Sequence, residues 1–472
     1  MTFYFYDLET SGISAANSRI MQFAGQRTDM NLKPIGKPDN IYIKLSEDIL
    51  PDPDAIMVTG ITPQKTLADG ISEVEFLRIF TDKIALPDTI FTGFNSVRFD
   101  DEFMRYLHYR NFYDPYEWQW QDSRSRWDLL DVTRMTRALR PDGIKWPFNA
   151  KGTPSNKLTD LTEINELDHA DAHDALNDVK ATISLARLLR QKQPKLFDYL
   201  LRLRDKKQLA MFVKENLIFL YSSGKYSAEF EKTTLVANFS QHPKRQGLLV
   251  YDLRYDPAPF LKMTTEELVE VWKWQDDPEA LRLPIKTLQF NRCPAVAPLS
   301  VYDEASQKRL QLSIEKSTDN QKKLLKVKGF KERVLKALEI LDQQQQTRMF
   351  SDERGVDAQL YDGFFSDVDR QTERSIRAAQ PAQLEEFTDK LKDERLKALL
   401  PLYKARNFVK ELTRSEQLAW EEHCHNLLTM GGDQSHLSNY FAQLEELKKA
   451  PGLSDKHKYL LTELELYGQS LI

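Results

Sequence analysis

Phe3-Tyr4-Phe5-Tyr6-Asp7-Leu8-Glu9-Thr10 opens the chain as a strand of large apolar side chains that ends on two carboxylates. Successive strand side chains alternate faces, so Asp7 and Glu9 share one face with Cα atoms ~6.6 Å apart. Two carboxylates that close repel each other and are costly unless solvated or bound to a cation. Hard divalent cations such as Mg2+ take such oxygens. A solvated strand end running into a turn is the competing reading, and the pair alone does not separate the two.

Outward from this strand, β-rich runs at residues 20–27 and 41–45 precede a helical stretch at 74–84, a strand at 89–94 and a helix at 99–110. Three strands before the first helix predict a meander extended by strands that enter through helices, a mixed α/β sheet. Asp100 lies where that later helix begins, in Gly93-Phe94-Asn95-Ser96-Val97-Arg98-Phe99-Asp100-Asp101-Glu102. Helping the helix N-terminus is its ordinary role. His173 and Asp178 follow in Ala172-His173-Asp174-Ala175-Leu176-Asn177-Asp178. A five-residue step turns about 140° around a helix, so the two do not stack, yet both can border one site.

In this order the motifs resemble the DEDDh exonucleases, whose fold is ribonuclease H-like. The five-residue step from His173 to Asp178 matches the histidine branch rather than the tyrosine branch. Further runs resemble bacterial exonuclease I: Tyr109-Arg110-Asn111-Phe112-Tyr113-Asp114-Pro115-Tyr116, Ser125-Arg126-Trp127-Asp128-Leu129-Leu130-Asp131, Ala138-Leu139-Arg140-Pro141, and Val356-Asp357-Ala358-Gln359-Leu360-Tyr361 with Gly363-Phe364-Phe365. The resemblance covers nearly the whole chain. It implies an α/β ribonuclease H-like exonuclease domain over residues 1–190, an SH3-like β-rich domain with a helical extension over 194–347, and an all-α domain over 350–472.

The resemblance also implies a chemistry. Asp7, Glu9, Asp100 and Asp178 would hold two Mg2+ ions, with Mn2+ as a substitute, and His173 would take the proton of the attacking water. The expected activity is 3′-to-5′ hydrolysis of single-stranded DNA to nucleoside 5′-monophosphates, in DNA repair or recombination. The alternatives are an exoribonuclease trimming RNA 3′ ends and a non-catalytic single-strand-binding scaffold. Docking of the acidic C-terminal tail of single-stranded-DNA-binding protein is the implied partnership, and the expected state is a monomer.

Between Arg105 and Arg140 basic residues interleave with aromatics, the pattern by which rings stack on unpaired bases while cations track phosphates. Phe112 and Trp127 read as core. The resemblance favours Arg105, Tyr116, Trp120, Arg134 and Arg140 as strand contacts, with Glu9 at the substrate; Tyr199, Lys206 and Tyr361 are further candidates. Where that family carries Arg in Pro-Ser-x-Arg-Leu, this chain has Lys157, which cannot grip a phosphate bidentately. That leaves open its role near the 3′-terminal nucleotide.

The remaining features set bounds. At ~150 residues per domain, 472 residues suggest about three domains. The net charge of −5 argues against nucleic acid for the chain as a whole, although a site is local. Two cysteines, Cys293 and Cys424, make no disulfide framework, which suits a reducing compartment. No apolar run reaches the ~18 residues of a membrane span, and the N-terminus has no cleavable leader pattern. A cytoplasmic protein without a membrane partner is the expectation.

From Lys322 to Lys336 seven basic residues stand against one acidic; a solvated helix face is the first reading and a patch for DNA or an acidic peptide the second. The run Gln343-Gln344-Gln345-Gln346 reads as a helix end or linker. Leu384, Phe387, Leu391 and Leu396 read as an apolar helical stripe, and His423-Cys424-His425 as structural rather than zinc-binding.

Overall fold

The computed structural model describes residues 1–167, 174–273, 276–277, 279–349 and 354–471, without the side chains of 346–349. The chain divides into two compact units: residues 1–125, 174–180 and 354–471, and residues 126–167, 181–273, 276–277 and 279–349.

In the first unit β1 (Thr2–Thr10), β2 (Ile20–Thr28), β3 (Asp39–Tyr42) and β4 (Thr89–Gly93) are neighbours in the order β3-β2-β1-β4. β1 pairs antiparallel with β2, placing Asp7 opposite Ala24 and Glu9 opposite Gln22, and parallel with β4. The sheet is therefore mixed, as expected. Tyr4, Tyr6 and Leu8 point to one face and pack with Phe23, Phe76, Phe80, Phe91 and Trp118. Phe3 and Phe5, on the face of Asp7 and Glu9, are fully buried.

Two element boundaries move. β3 ends at Tyr42 rather than Leu45: Ile43 still donates its N–H to the Met21 carbonyl of β2 at 2.9 Å, but beyond Tyr42 the chain also bridges Ile71 in parallel. The helix expected over 74–84 stops at Ile79 and continues as one wider turn, Phe80–Ile84, closed by the Ala85 N–H on the Phe80 carbonyl at 2.7 Å. Two short helices escape the sequence reading, Pro53–Thr59 and Pro63–Asp69. Each starts on a side-chain cap, Asp52 or Thr62, followed by a proline whose fixed φ suits the first helical position.

The C-terminal residues are helical, with Asp367–Ala378, Glu394–Asn407, Arg414–Thr429, His436–Lys448 and Asp455–Ser470 as the main elements. They share cores with the sheet-bearing part of the same unit. Tyr109 and Phe112 pack with Leu360, Leu399 and Tyr403, and Met21, Ile56 and Ile61 with Tyr440, Leu460 and Leu464. A buried ion network adds to this. Arg406 bridges Asp48 at 2.6 Å and Asp357 at 2.7 Å, and Arg19 reaches Asp357 at 2.8 Å. The expected stripe is not one helix: Leu384 and Phe387 lie in the 3-10 segment Pro381–Phe387, Leu391 in a connection and Leu396 in the next helix, all turned to one core. Cys424 packs beside Trp420 and Leu412, and burial pushes its thiol up to about 12.

The second unit holds a fully antiparallel sheet of β6 (Ile218–Ser222), β7 (Thr233–Gln241), β8 (Gly247–Asp252), β9 (Ile285–Gln289) and β10 (Ala295–Pro298), ordered β10-β6-β7-β8-β9; β5 (Ser125–Asp128) lies where the chain passes between units. The basic run 322–336 breaks into the end of Ile314–Lys326 and the start of Phe330–Met349, with Gly329 at φ +80° between them. Only glycine adopts that conformation readily. The glutamine run lies inside the last turns of Phe330–Met349. Among the described residues, no helix is long and apolar enough to cross a membrane.

Candidate active site

The acidic site forms at the carboxyl end of β1, where ligands commonly sit in α/β sheets. Asp7, Glu9 and Asp178 each bring a carboxylate oxygen within 4.8 Å of the others. The strand alternation of β1 aims the first two to one side, and Asp178 joins them from the first turn of Ala175–Lys192. A break in the β1–β2 register after Glu9 ends the regular pairing there.

Asp100 is delivered by β4, which runs parallel to β1. Beyond β4 the chain turns through Gly93 and through Asn95 at φ +70°. A Cβ at Gly93 would lie 2.8 Å from the Tyr6 carbonyl oxygen, so the close approach of this turn to β1 requires glycine. Asp100 then starts the helix Asp100–Arg110, and its Oδ1 accepts the backbone N–H of Leu8 at 3.1 Å. The next residue, Asp101, accepts the Tyr6 hydroxyl at 2.5 Å. Two bonds thus tie the start of the helix to β1 on either side of Asp7.

Burial and the neighbouring carboxylates act together on the acidic groups here. Burial, then Asp7, Asp178 and Asp174, push the Glu9 carboxyl up to about 9. Asp7 is raised well above the carboxylate range by burial, then by Asp100, Asp178 and Asp174. Asp174 is a fifth carboxylate that the sequence reading passed over. It receives the Gln22 side-chain amide at 3.4 Å, and Gln22 faces Glu9 across the sheet. Its position four residues before Asp178 is the signal that could have found it, since that spacing returns to the same helix face. Closely spaced carboxylate oxygens of this kind fit a hard divalent cation. His173 lies outside the described residues.

Three of the expected strand contacts come together elsewhere in the first unit. Arg105 is 4% exposed and pairs with Glu102 at 2.6 Å, while its guanidinium sits 5.7 Å from the centre of the Tyr116 ring. The Tyr361 hydroxyl donates to the same Glu102, and its ring meets Tyr106 edge to face at 5.9 Å. Trp120 is 63% exposed. The remaining candidates belong to the second unit. Lys157 is exposed ahead of Leu158–Ile164, and Arg134 pairs with Asp131 at 2.6 Å. Arg140 pairs with Asp303 at 3.1 Å. Tyr199 packs against Leu203 and Leu209 with its hydroxyl buried, and Lys206 is exposed at the start of Lys206–Glu215. Phe112 and Trp127 are both buried, as expected for core.

Comparison with known proteins gives three family matches along the chain. Family models match for an exonuclease domain over residues 4–186, an exonuclease I SH3-like domain over 204–339 and an exonuclease I C-terminal domain over 354–471. The chain is 38% identical to exodeoxyribonuclease I of Escherichia coli over 477 residues, covering 100% of this chain and 98% of the relative. It is 36% identical to exodeoxyribonuclease I of Haemophilus influenzae over 478 residues, covering 100% and 99%.

Among solved structures it resembles E. coli exonuclease I in complex with a dA16 oligonucleotide, with a TM-score of 0.92 and 36% identity over 100% of both chains. A zinc-bound E. coli exonuclease I–single-stranded DNA complex gives a TM-score of 0.92, with 36% identity over 100% of this chain and 99% of the other. SSB/exonuclease I in complex with an inhibitor gives 0.89, at the same identity and coverage.

Proposed function

The chain belongs to the exonuclease I family, and from that premise we propose that it digests single-stranded DNA from the 3′ end, releasing nucleoside 5′-monophosphates. The convergence of Asp7, Glu9 and Asp178 beside Asp100 carries this reading, because it offers a cation what phosphodiester hydrolysis needs. The oligonucleotide complexes of the relatives support single-stranded DNA as substrate.

In this proposal Asp7, Glu9, Asp100 and Asp178 hold two Mg2+ ions, Mn2+ serving as a substitute. Metal held by these residues would supply an acidified water and charge neutralisation at the leaving 3′ oxygen. The chain's own residues do the rest. The Leu8 N–H and Tyr6 hydroxyl hold the first turn of Asp100–Arg110 against β1, so that the carboxylates are in place before substrate arrives. His173 accepts the proton of the attacking water, the role an imidazole suits because it can take up a proton near neutral pH. With cations held there, the carboxylates would no longer repel the incoming phosphate.

Arg105, Tyr116, Trp120 and Tyr361 are the proposed strand contacts of the first unit, and Lys157, Arg134, Arg140, Tyr199 and Lys206 those of the second. Single-stranded-DNA-binding protein is the proposed partner, supported by the relative solved with SSB. A cytoplasmic monomer acting in DNA repair or recombination completes the proposal. The test is digestion of single-stranded DNA, duplex DNA and RNA of equal length, each labelled at its 5′ end. Progressive shortening of single-stranded DNA alone supports it. Preferential loss of RNA, or no Mg2+-dependent release of mononucleotide, contradicts it.

A further inference from the structure

A cavity of about 830 Å3 opens beside the antiparallel sheet of the second unit, with no part in the site described above. Its walls include Tyr226, Phe230, Asp252, Arg254, Trp272 and Lys286. Each of two cations lies over a ring: the Arg254 guanidinium is 3.6 Å from the centre of Phe230, and the Lys286 ammonium 4.6 Å from that of Tyr226. Among the described residues, neither cation has an ion-pair partner. Lys286 donates to the Lys225 carbonyl, and Arg254 Nη1 donates to the Gln311 carbonyl at 3.3 Å. Burial pushes Lys286 down to about 8, against the pull of Asp252.

Among the described residues, Arg254 Nη2 and the hydroxyl of Tyr226, a residue only 6% exposed, are buried at this wall without a hydrogen-bond partner. Leaving such a group unpaired costs about 1–3 kcal/mol, so the wall favours a ligand that brings acceptors. The one buried carboxylate, Asp252, is already engaged by the Thr234 hydroxyl at 2.6 Å and the Arg254 N–H at 3.1 Å. Unpaired cations call for an anion. Flat aromatic and guanidinium surfaces call for a ring, and the volume suits a small organic ligand rather than a bare ion.

We propose that this cavity binds a mononucleotide, its phosphate drawn to Arg254 and Lys286 and its base set against the aromatic wall. The inference does not depend on hydrolysis at the acidic site. It is tested by calorimetric titration of the full chain in EDTA with dAMP, with inorganic phosphate and deoxyadenosine as separate arms. The variants are Arg254→Gln/Lys286→Gln and, against binding at the acidic site, Asp7→Asn.

The expected result is saturable one-to-one binding of dAMP that persists in Asp7→Asn. Arg254→Gln/Lys286→Gln should weaken it at least about tenfold while still digesting single-stranded DNA, and each isolated half of the ligand should bind at least about tenfold more weakly. If the double variant does not fold, Lys286→Gln alone must show the weakening. Absence of saturable binding, its loss in Asp7→Asn, its survival in the cavity variants, or phosphate binding as tightly as dAMP would each overturn the proposal.

Discussion

The backbone N–H of Leu8 donates to Oδ1 of Asp100 at 3.1 Å, so the residue between Asp7 and Glu9 also holds the carboxylate that opens the next helix. Strand and helix are registered by the functional group itself. Replacing Asp100 therefore has two separable consequences. Asp100→Asn keeps an acceptor for Leu8 and should melt close to wild type while losing nearly all hydrolysis. Asp100→Ala removes that acceptor and should lose about 1–3 kcal/mol of stability as well. Thermal unfolding of both variants beside their turnover checks this; equal melting of the two would show that the bond contributes little.

Removing Arg406 strips a shared cation from the buried carboxylate of Asp48, which it holds below the usual carboxylate range, and from the partly buried one of Asp357, which it holds well below it. Arg406→Ala should cost about 3–5 kcal/mol, because an unpaired buried charge is left behind. Denaturant unfolding measures it. A loss under about 1 kcal/mol would mean that Arg19 or solvent compensates.

Glu373 is 3% exposed, and burial, aided by Asp114 and Asp369 and opposed by Arg377, pushes its carboxyl up to about 7. An unfolded glutamate titrates near ~4.3. Between these values the folded chain keeps a proton that the unfolded chain has lost, so this group's contribution to stability falls as pH rises through the window. Glu373→Gln should gain on wild type by about 1–3 kcal/mol between pH 5 and pH 8. Parallel unfolding curves at the two pH values would refute the assignment.

Trp120 is exposed, so Trp120→Ala should leave the melting temperature unchanged. If the ring stacks on a base, affinity for single-stranded DNA should fall by about 1–3 kcal/mol. Binding of labelled oligonucleotide in EDTA gives the number, and an unchanged Kd would remove Trp120 from the strand path.

Local periodicity and spacing made much of this legible. The aromatic alternation of β1 places Asp7 and Glu9 on one face, and the switch from strand to helix places Asp100 at a helix start. What stayed hidden depends on partners distant in sequence. Asp357 stands out within its motif, but its pairing with Arg19 and Arg406 cannot be read from neighbours. Gln22 looks like an ordinary strand residue until Asp174 is set beside it. The same limit explains the misread stripe of Leu384, Leu391 and Leu396, where helical spacing coincides with burial in one core from three different segments.

The central claim is that the carboxylates around Asp7 serve metal-dependent hydrolysis from the 3′ end. Its most direct measurement is the release of labelled mononucleotide from 3′-labelled single-stranded DNA, with Mg2+ or EDTA, by wild type and Asp178→Asn. The account predicts rapid release by wild type only with Mg2+, and almost none by a folded Asp178→Asn at any Mg2+ concentration. Release in EDTA, or a wild-type rate from Asp178→Asn, would contradict it.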